Sequence, residues 1–262
     1  MSDISSQTRS GTVERPRFSP MATEDLLLGG RRLRQAFLQT PLRYAGRDMP
    51  LLRAGAAEPA AILIRTGFAF YSCLLADGHR AMLRVLLSGD FAGLDSIVLA
   101  RGKEDIYAAN RAGYHLLGAA ALHELFADRA VATFVLAQLA EQRWRADRLA
   151  ASIGRLDAYG RLCVLLLDIY DRLRHRGLIN RSTFNLPLTQ EQIADHLGLT
   201  LVHINRTLRR LREEKIVLVD RQVVIIQDIE RLRQMAQGLP EAAEMPAPFA
   251  TQNGSFLGEF QT

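Results

Sequence analysis

Cysteine occurs only at Cys73 and Cys163 in this 262-residue chain, and the two lie far apart. No CxxC, no N-terminal cysteine cluster and no Cys/His set at zinc spacing is present, which argues against an iron–sulfur cluster or structural zinc within one chain. Both cysteines sit in apolar sequence, so buried inert thiols are expected, and a reducing cytoplasm is the natural compartment. Lysine is equally scarce, at Lys103 and Lys215 only, so arginine carries nearly all the positive charge. Genomic GC content explains that bias as well as phosphate recognition does, so the placement of the arginines matters more than their number. No apolar run approaches the roughly 18 residues of a membrane span; the run 163–167 is far too short, and no membrane association is expected. The first 19 residues are polar and lack the apolar stretch of a secretory signal. Residues for catalysis are also wanting. There is no nucleophile–base set, no cleft-like carboxylate pair and no phosphate loop; His123-Glu124 and Asp195-His196 stand alone on helical segments. The chain does not read as an enzyme, and no metal site is expected.

What is present is a globular composition, 48% hydrophobic and 23% charged, with a net charge of +5. The length suits two ordinary domains. Residues 1–22 and 238–262 read as flexible tails. Residues 23–39 suggest a helix interrupted at Gly29-Gly30. From about 42 to 117 the texture is β: runs at 61–64, 68–75, 80–87, 106–109 and 115–117, with turns at Asp77-Gly78 and Ser88-Gly89-Asp90. Such short strands predict a barrel or roll. Residues 128–153 lack proline and glycine and predict one helix of about 40 Å, ended by Gly154. Along it Val135, Leu139, Gln142, Ala146, Leu149, Ile153 and Leu156 recur at spacings of four and three, a coiled-coil stripe that predicts a homodimer seam. Phe134, Leu136 and Trp144 form a second face to cover the roll. Another helix is expected at 157–174.

The most specific pattern is LTQEQIADHLGLTLVHINRTLRRLR at residues 188–212. Thr189 with Gln192 three residues on predicts a capping box, after Pro187, which disfavours helix upstream. A helix then covers 190–197, Gly198 ends it, and Thr200 caps a second helix to about 214. This is the helix-turn-helix spacing. On the second helix, about 100° per residue places Ile204, Leu208 and Leu211 inward. Val202, His203, Asn205, Arg206, Arg209 and Arg210 fall outward, types that read major-groove base edges and reach phosphates. Residues 216–219 and 223–226 predict a hairpin wing with Arg221 at its tip, to touch the DNA backbone. A final short helix is expected at 228–237. Double-stranded DNA is thus the expected partner, and a protein–protein adaptor with vestigial DNA binding the alternative.

These residues, with LREEKIV at 211–217 and DAYGRLC at 157–163, resemble the Crp/Fnr family of bacterial regulators. Gly67, Asp77-Gly78 and Gly89-Asp90-Phe91 look like turns of that family's β-roll. The resemblance implies an α+β chain: an N-terminal cyclic-nucleotide-binding-like β-roll (23–124), a dimerisation helix (125–156) and a winged helix-turn-helix (157–237). It further implies an inverted-repeat operator, RNA polymerase as a partner, and a guanine-reading arginine at Arg206. Where the family often has a cytosine-reading glutamate, Val202 stands. In the cyclic-nucleotide cassette, Leu94 falls at the ribose-binding glutamate and Glu104 at the phosphate-binding arginine. An acid facing a phosphate is repulsive, so control by a cyclic nucleotide is not expected; Arg101 and Arg111 are the only substitutes at hand. Haem is known in the family, with His79 and His115 as candidate ligands here, and Cys73 is a candidate redox sensor. Neither carries a motif, so no cofactor is expected and a small-molecule effector stays open.

Overall fold

The computed structural model describes residues 20–76, 78, 80–99, 104–179 and 181–236. Asp77, His79, Arg101, the first 19 residues and the segment from 237 onward lie outside it. The chain is α+β. Helix α1 (Pro20–Leu38) leads into a roll of eight strands: β1 (Arg43–Ala45), β2 (Pro50–Leu52), β3 (Ala60–Thr66), β4 (Phe68–Leu74), β5 (Arg80–Leu87), β6 (Phe91–Ala92), β7 (Asp105–Ala108) and β8 (Ala112–Gly118). A short helix α2 (Ser96–Leu99) lies between β6 and β7. The strands form two four-stranded sheets, ordered β1-β8-β3-β6 and β2-β7-β4-β5. Then come α3 (Ala119–Phe126), the long α4 (Arg129–Arg155), α5 (Ala158–His175), β9 (Thr183–Asn185), α6 (Gln190–Leu197), α7 (Leu201–Glu213), the hairpin β10 (Val217–Asp220) and β11 (Val223–Ile226), and α8 (Ile229–Met235). None of the described helices is long and apolar enough to cross a membrane.

Strand β3 shows why the roll needs helices on its back. Successive side chains on a strand point to opposite faces. Ile62 and Ile64 face Tyr71, Leu86 and Ile106 inside the roll, whereas Ala61 and Leu63 join Leu33, Phe37, Phe91 and Phe134 beneath α1 and α4. Both faces are apolar, and both are covered. Gly89 turns the chain between β5 and β6 at φ +92°, a conformation that only glycine adopts at no steric cost.

Several expectations need correction. Gly29-Gly30 does not interrupt α1, which runs unbroken across α4. A Cβ on Gly29 would stand 1.9 Å from the Ala130 carbonyl oxygen, and one on Gly30 would stand 2.6 Å from the Phe134 ring. The glycines allow two helix backbones to touch. Gly154 does not end α4; the helix continues to Arg155, and the chain turns at Leu156, which is extended at φ −102° and ψ 150°. Asp157 then caps α5 by accepting the Gly160 N–H. Val135 departs from the seam: it is 1% exposed among Leu33, Phe37 and Leu122, so it belongs to the subunit's own core. In the opposite sense, Leu136 is 69% exposed and covers nothing. Cys73 is only half-buried on β4, while Cys163 is buried in α5, and burial pushes its thiol up to about 12.

The helix-turn-helix segment packs on its own roll. One apolar cluster joins Phe70, Met82 and Val85 of the roll to Leu165 and Ile169 of α5 and Ile193 of α6. Polar contacts fix the register. The Arg172 and Arg176 guanidiniums both donate to the Asp90 carboxylate, and they also donate to the carbonyls of Val85 and Ser88. Asp90 additionally accepts the Leu87 N–H. His196 of α6 is buried, which pushes its pKa below the ordinary value; its Nδ1–H donates to the Met82 carbonyl at 3.3 Å. At the α4–α5 junction Arg161 donates to three carbonyls, those of Ile153, Leu156 and Leu197. It thereby satisfies groups that helix ends leave without a partner.

Two predictions follow from this packing. Alanine exceeds glycine by about 1 kcal/mol in helix propensity, so propensity alone makes Gly29→Ala stabilising. The contact with Ala130 instead predicts a loss of about 1–3 kcal/mol, as for other overpacked sites, read as a lower thermal midpoint. For Asp90, burial alone would raise the pKa, but Arg172 and Arg176 outweigh it and hold the carboxyl near 2. A depressed carboxyl stabilises the fold above its unfolded pKa and loses that contribution as pH falls through the folded one. Urea stability is therefore expected to drop between the ordinary 3.8 and about 2. Asp90→Asn should remove this component and cost about 3–5 kcal/mol at neutral pH; an unchanged acid profile would contradict the clamp.

Candidate nucleic-acid interface

The local rules seen in the sequence build the pair α6–α7. Thr189 Oγ1 accepts the Gln192 N–H at 3.0 Å, and the Gln192 side chain accepts the Thr189 N–H at 2.9 Å, a complete capping box. Gly198 ends α6 in the left-handed region at φ 62°. The Leu199 N–H then returns to the Ala194 carbonyl, as in a Schellman ending. Thr200 caps α7 by accepting the His203 N–H, and its hydroxyl also meets His203 Nδ1 at 3.0 Å. Thr189 and Thr200 are exposed at helix starts, with their hydroxyls committed to caps.

Helix α7 divides by face. Ile204 and Leu211 are fully buried, Leu208 is half-buried, and Thr207, which the angular sorting did not place inward, is buried too. Val202, His203, Asn205, Arg206, Arg209 and Arg210 are exposed, Val202 at 74%. Arginines on this face differ in what holds them. Arg209 donates to Glu213 at 2.8 Å, one turn on. Arg210 donates to Glu214 at 2.7 Å and lies over the Tyr159 ring, 4.2 Å from its centroid. Arg212 donates to the Val219 carbonyl of the hairpin. Arg206 has no hydrogen bond or ion pair among the described residues, and neither has Asn205. The exposed pairs at one-turn spacing are worth little in water, so Arg209 is readily released to another anion.

Glu214 ends this helix and ties it to the α4–α5 junction. The Tyr159 hydroxyl donates to it at 2.7 Å, and that bond, with the one from Arg210, holds its pKa below the ordinary carboxylate value. Sequence inspection assigned Tyr159 no role. The pairing joins residues 55 positions apart, and no local spacing announces it.

Behind α7, β10 and β11 pair antiparallel with Asp220 opposite Val223, leaving Arg221 and Gln222 as the loop. Arg221 is exposed and sits at φ 54°. A third strand, β9, was not anticipated. It pairs with β11 through Phe184 and Val224, both buried, and extends the wing into a sheet of three.

The other residues singled out lie elsewhere. Leu94 is 1% exposed in the core beneath α1 and α4. Glu104 lies 4.0 Å from Arg84. Arg111 lies over the Tyr44 ring. His115 is buried on β8, and its Nδ1–H donates to the Thr40 carbonyl at 2.8 Å. Along α4, Ala146 and Ile153 are exposed, Leu139 and Leu149 are half-buried, and Gln142 accepts from Arg84 at 2.6 Å.

Residues 160–235 match the model of the Crp-like helix-turn-helix domain. The transcriptional activator protein FnrL of Cereibacter sphaeroides is 28% identical over 180 residues, covering 65% of this chain and 70% of that protein. The transcriptional activatory protein AadR of Rhodopseudomonas palustris is 26% identical, covering 74% and 80%. Among solved structures, FixK2 from Bradyrhizobium japonicum superposes with a TM-score of 0.67 at 24% identity, over 74% of this chain and 96% of that one. The match falls on the segment whose caps, glycine turn and outward arginines are described above: residues 160–235 form a Crp-like helix-turn-helix domain, and the chain as a whole is similar to Fnr-type transcription regulators.

Proposed function

We propose that this chain is a sequence-specific regulator that binds an inverted-repeat operator as a homodimer, with α7 of each subunit in a major groove. The observation that carries the reading is Arg206. It projects from the outward face of α7, makes no ion pair or hydrogen bond among the described residues, and is flanked by exposed Val202 and Asn205. Arginine donates two parallel bonds to guanine O6 and N7, asparagine pairs with adenine, and an apolar side chain meets the thymine methyl. Arg209 and Arg210 exchange their surface carboxylates for phosphates, and His203 sits beside them at the start of the helix. Thr189 and Thr200 stand at helix N-termini, where backbone N–H groups favour phosphate. Arg221 reaches the backbone from the wing.

Residues 23–124 serve as the sensor roll, 125–156 as the dimerisation helix and 157–237 as the DNA-binding domain. The seam runs over Leu139, Gln142, Ala146, Leu149 and Ile153, shorter than the stripe read from the sequence because Val135 is taken up by the core and Leu156 lies past the end of α4. Two recognition helices on one dimer then meet grooves about one helical turn apart. RNA polymerase is the protein partner, and the cytoplasm is the compartment. The roll is not tuned to a cyclic nucleotide: its ribose position holds a buried leucine, Leu94, and its phosphate position holds an acid, Glu104.

Gel-shift titration against genomic fragments tests the DNA reading. Arg206→Ala is expected to cost about 1–3 kcal/mol and relax preference at one base pair per half-site. Arg221→Ala should weaken all sequences alike and reduce the salt slope by about 1. Undiminished specificity in Arg206→Ala would refute the assignment of α7. The seam is tested separately by sedimentation of the double variant Ala146→Glu, Ile153→Glu, which alters only exposed positions. Monomers are expected, and persisting dimers would exclude this face of α4.

A further inference from the structure

The link between α4 and α5 is short. Helix α4 ends at Arg155 and α5 begins at Ala158, so only Leu156 and Asp157 stand outside a helix. Each residue has two soft backbone dihedrals, and rotation at extended Leu156 would swing everything that follows it relative to α4. A guanidinium in the first turn of α5 holds the angle. Arg161 donates from Nη2 to the Ile153 carbonyl of α4 at 2.7 Å and from Nε to the Leu156 carbonyl of the link at 3.0 Å. From Nη1 it donates to the carbonyl of Leu197, the last residue of α6, at 3.2 Å. One planar group thus joins the long helix, the link and the turn of the helix-turn-helix. The fork of donors on arginine allows this, and the single ammonium of lysine does not.

A second tie continues the path to α7. Two residues before Arg161, the Tyr159 hydroxyl donates to the carboxylate of Glu214, the C-cap of α7, at 2.7 Å. Arg210 uses the other carboxylate oxygen of Glu214, so it can leave for a phosphate without breaking the Tyr159 bond. The far end of α5 is pinned to the roll by Arg172 and Arg176 on Asp90. The helix has 18 residues, and at ~1.5 Å per residue it is roughly 27 Å long. Freed at its start, it needs a tilt of only about 7° to shift that end by about 3.4 Å, the rise of one base pair.

We propose that Arg161, acting with Tyr159, is a positioning residue that sets the spacing between half-sites that the dimer accepts. This rests on the reading of α7 as the recognition helix of a dimer. Both residues lie on α5, and neither belongs to the outward face of α7. Half-sites are about one helical turn apart, and one inserted base pair moves a half-site by about 3.4 Å and turns it by about 35° around the DNA. A dimer whose α7 is held at one angle to α4 fits one spacing, whereas a dimer with a loose start to α5 fits several. Specificity then has two parts: the face of Arg206 reads the bases, and the first turn of α5 gauges the interval between them.

The test titrates the full-length protein against an operator selected from random DNA by the wild type, and against copies with one base pair inserted or removed between the half-sites. The wild type should prefer its selected spacing at least about tenfold, the worth of one charge-assisted hydrogen bond. In Arg161→Lys and in Tyr159→Phe that ratio should fall toward one, while base preference within each half-site and the dimer in sedimentation stay as in the wild type. A variant ratio equal to that of the wild type would overturn the proposal. So would an equal loss of affinity at every spacing, which would make these residues supports of the fold alone. Should Arg161→Lys fail to fold, Tyr159→Phe, which removes a single hydroxyl, decides by the same ratio. A wild type indifferent to spacing would overturn the proposal and leave the DNA reading intact; a wild type that selects no operator at all would refute the DNA reading itself, and the proposal with it.

Discussion

A single buried carboxylate, Asp90, sets how the two halves of this molecule meet. It sits in the turn that closes β5, holds the Leu87 N–H, and receives Arg172 and Arg176 from α5. Around it the apolar cluster that fills the DNA-binding half continues into the roll, and His196 on α6 is buried against Met82. With α5 and α6 fixed in this way, α7 has one apolar side to bury and one polar side left over. The exposure of Arg206 is therefore a consequence of how the rest of the chain is packed.

The chain uses its arginines for two different tasks. Arg145, Arg161, Arg172 and Arg176 are structural: they bond carbonyls at helix ends and carboxylates in the interior, where a planar guanidinium meets several acceptors at once. Arg206, Arg209 and Arg221 are on the surface, on the faces that the helix-turn-helix and its wing turn outward. The same residue type fixes the helix-turn-helix in place and lines its outward face. A lysine in the first role would leave some of these acceptors unpaired.

The parts of this arrangement that are local were legible in the sequence. The capping box at Thr189, the left-handed Gly198 and the face of α7 follow from spacing and backbone preference, and the 190–197 helix has the bounds that spacing predicts. Five of the roll's strands were visible as apolar runs, whereas β1, β2, β6 and β9 have only two or three residues each and carry no periodicity. Gly29-Gly30 misled because glycine is both a helix breaker and the residue that lets helices touch; only the position of Ala130, 101 residues further on in the case of Gly29, decides which. Val135 misled for the opposite reason. A stripe at coiled-coil spacing fits a partner chain or the chain's own α1, and the sequence does not say which covers it. The links made by Tyr159, Arg161 and Asp90 pair residues far apart in the chain, and no single-sequence pattern announces them.

Methylation interference on a selected operator bears most directly on the central claim, that exposed Arg206 reads guanine in the major groove. Premethylation of guanine N7 should block binding at one position in each half-site, the two positions about 10 base pairs apart and symmetric about the centre. The effect should disappear in Arg206→Ala. Binding insensitive to N7 methylation, or blocked at positions that the variant leaves unchanged, would contradict the account.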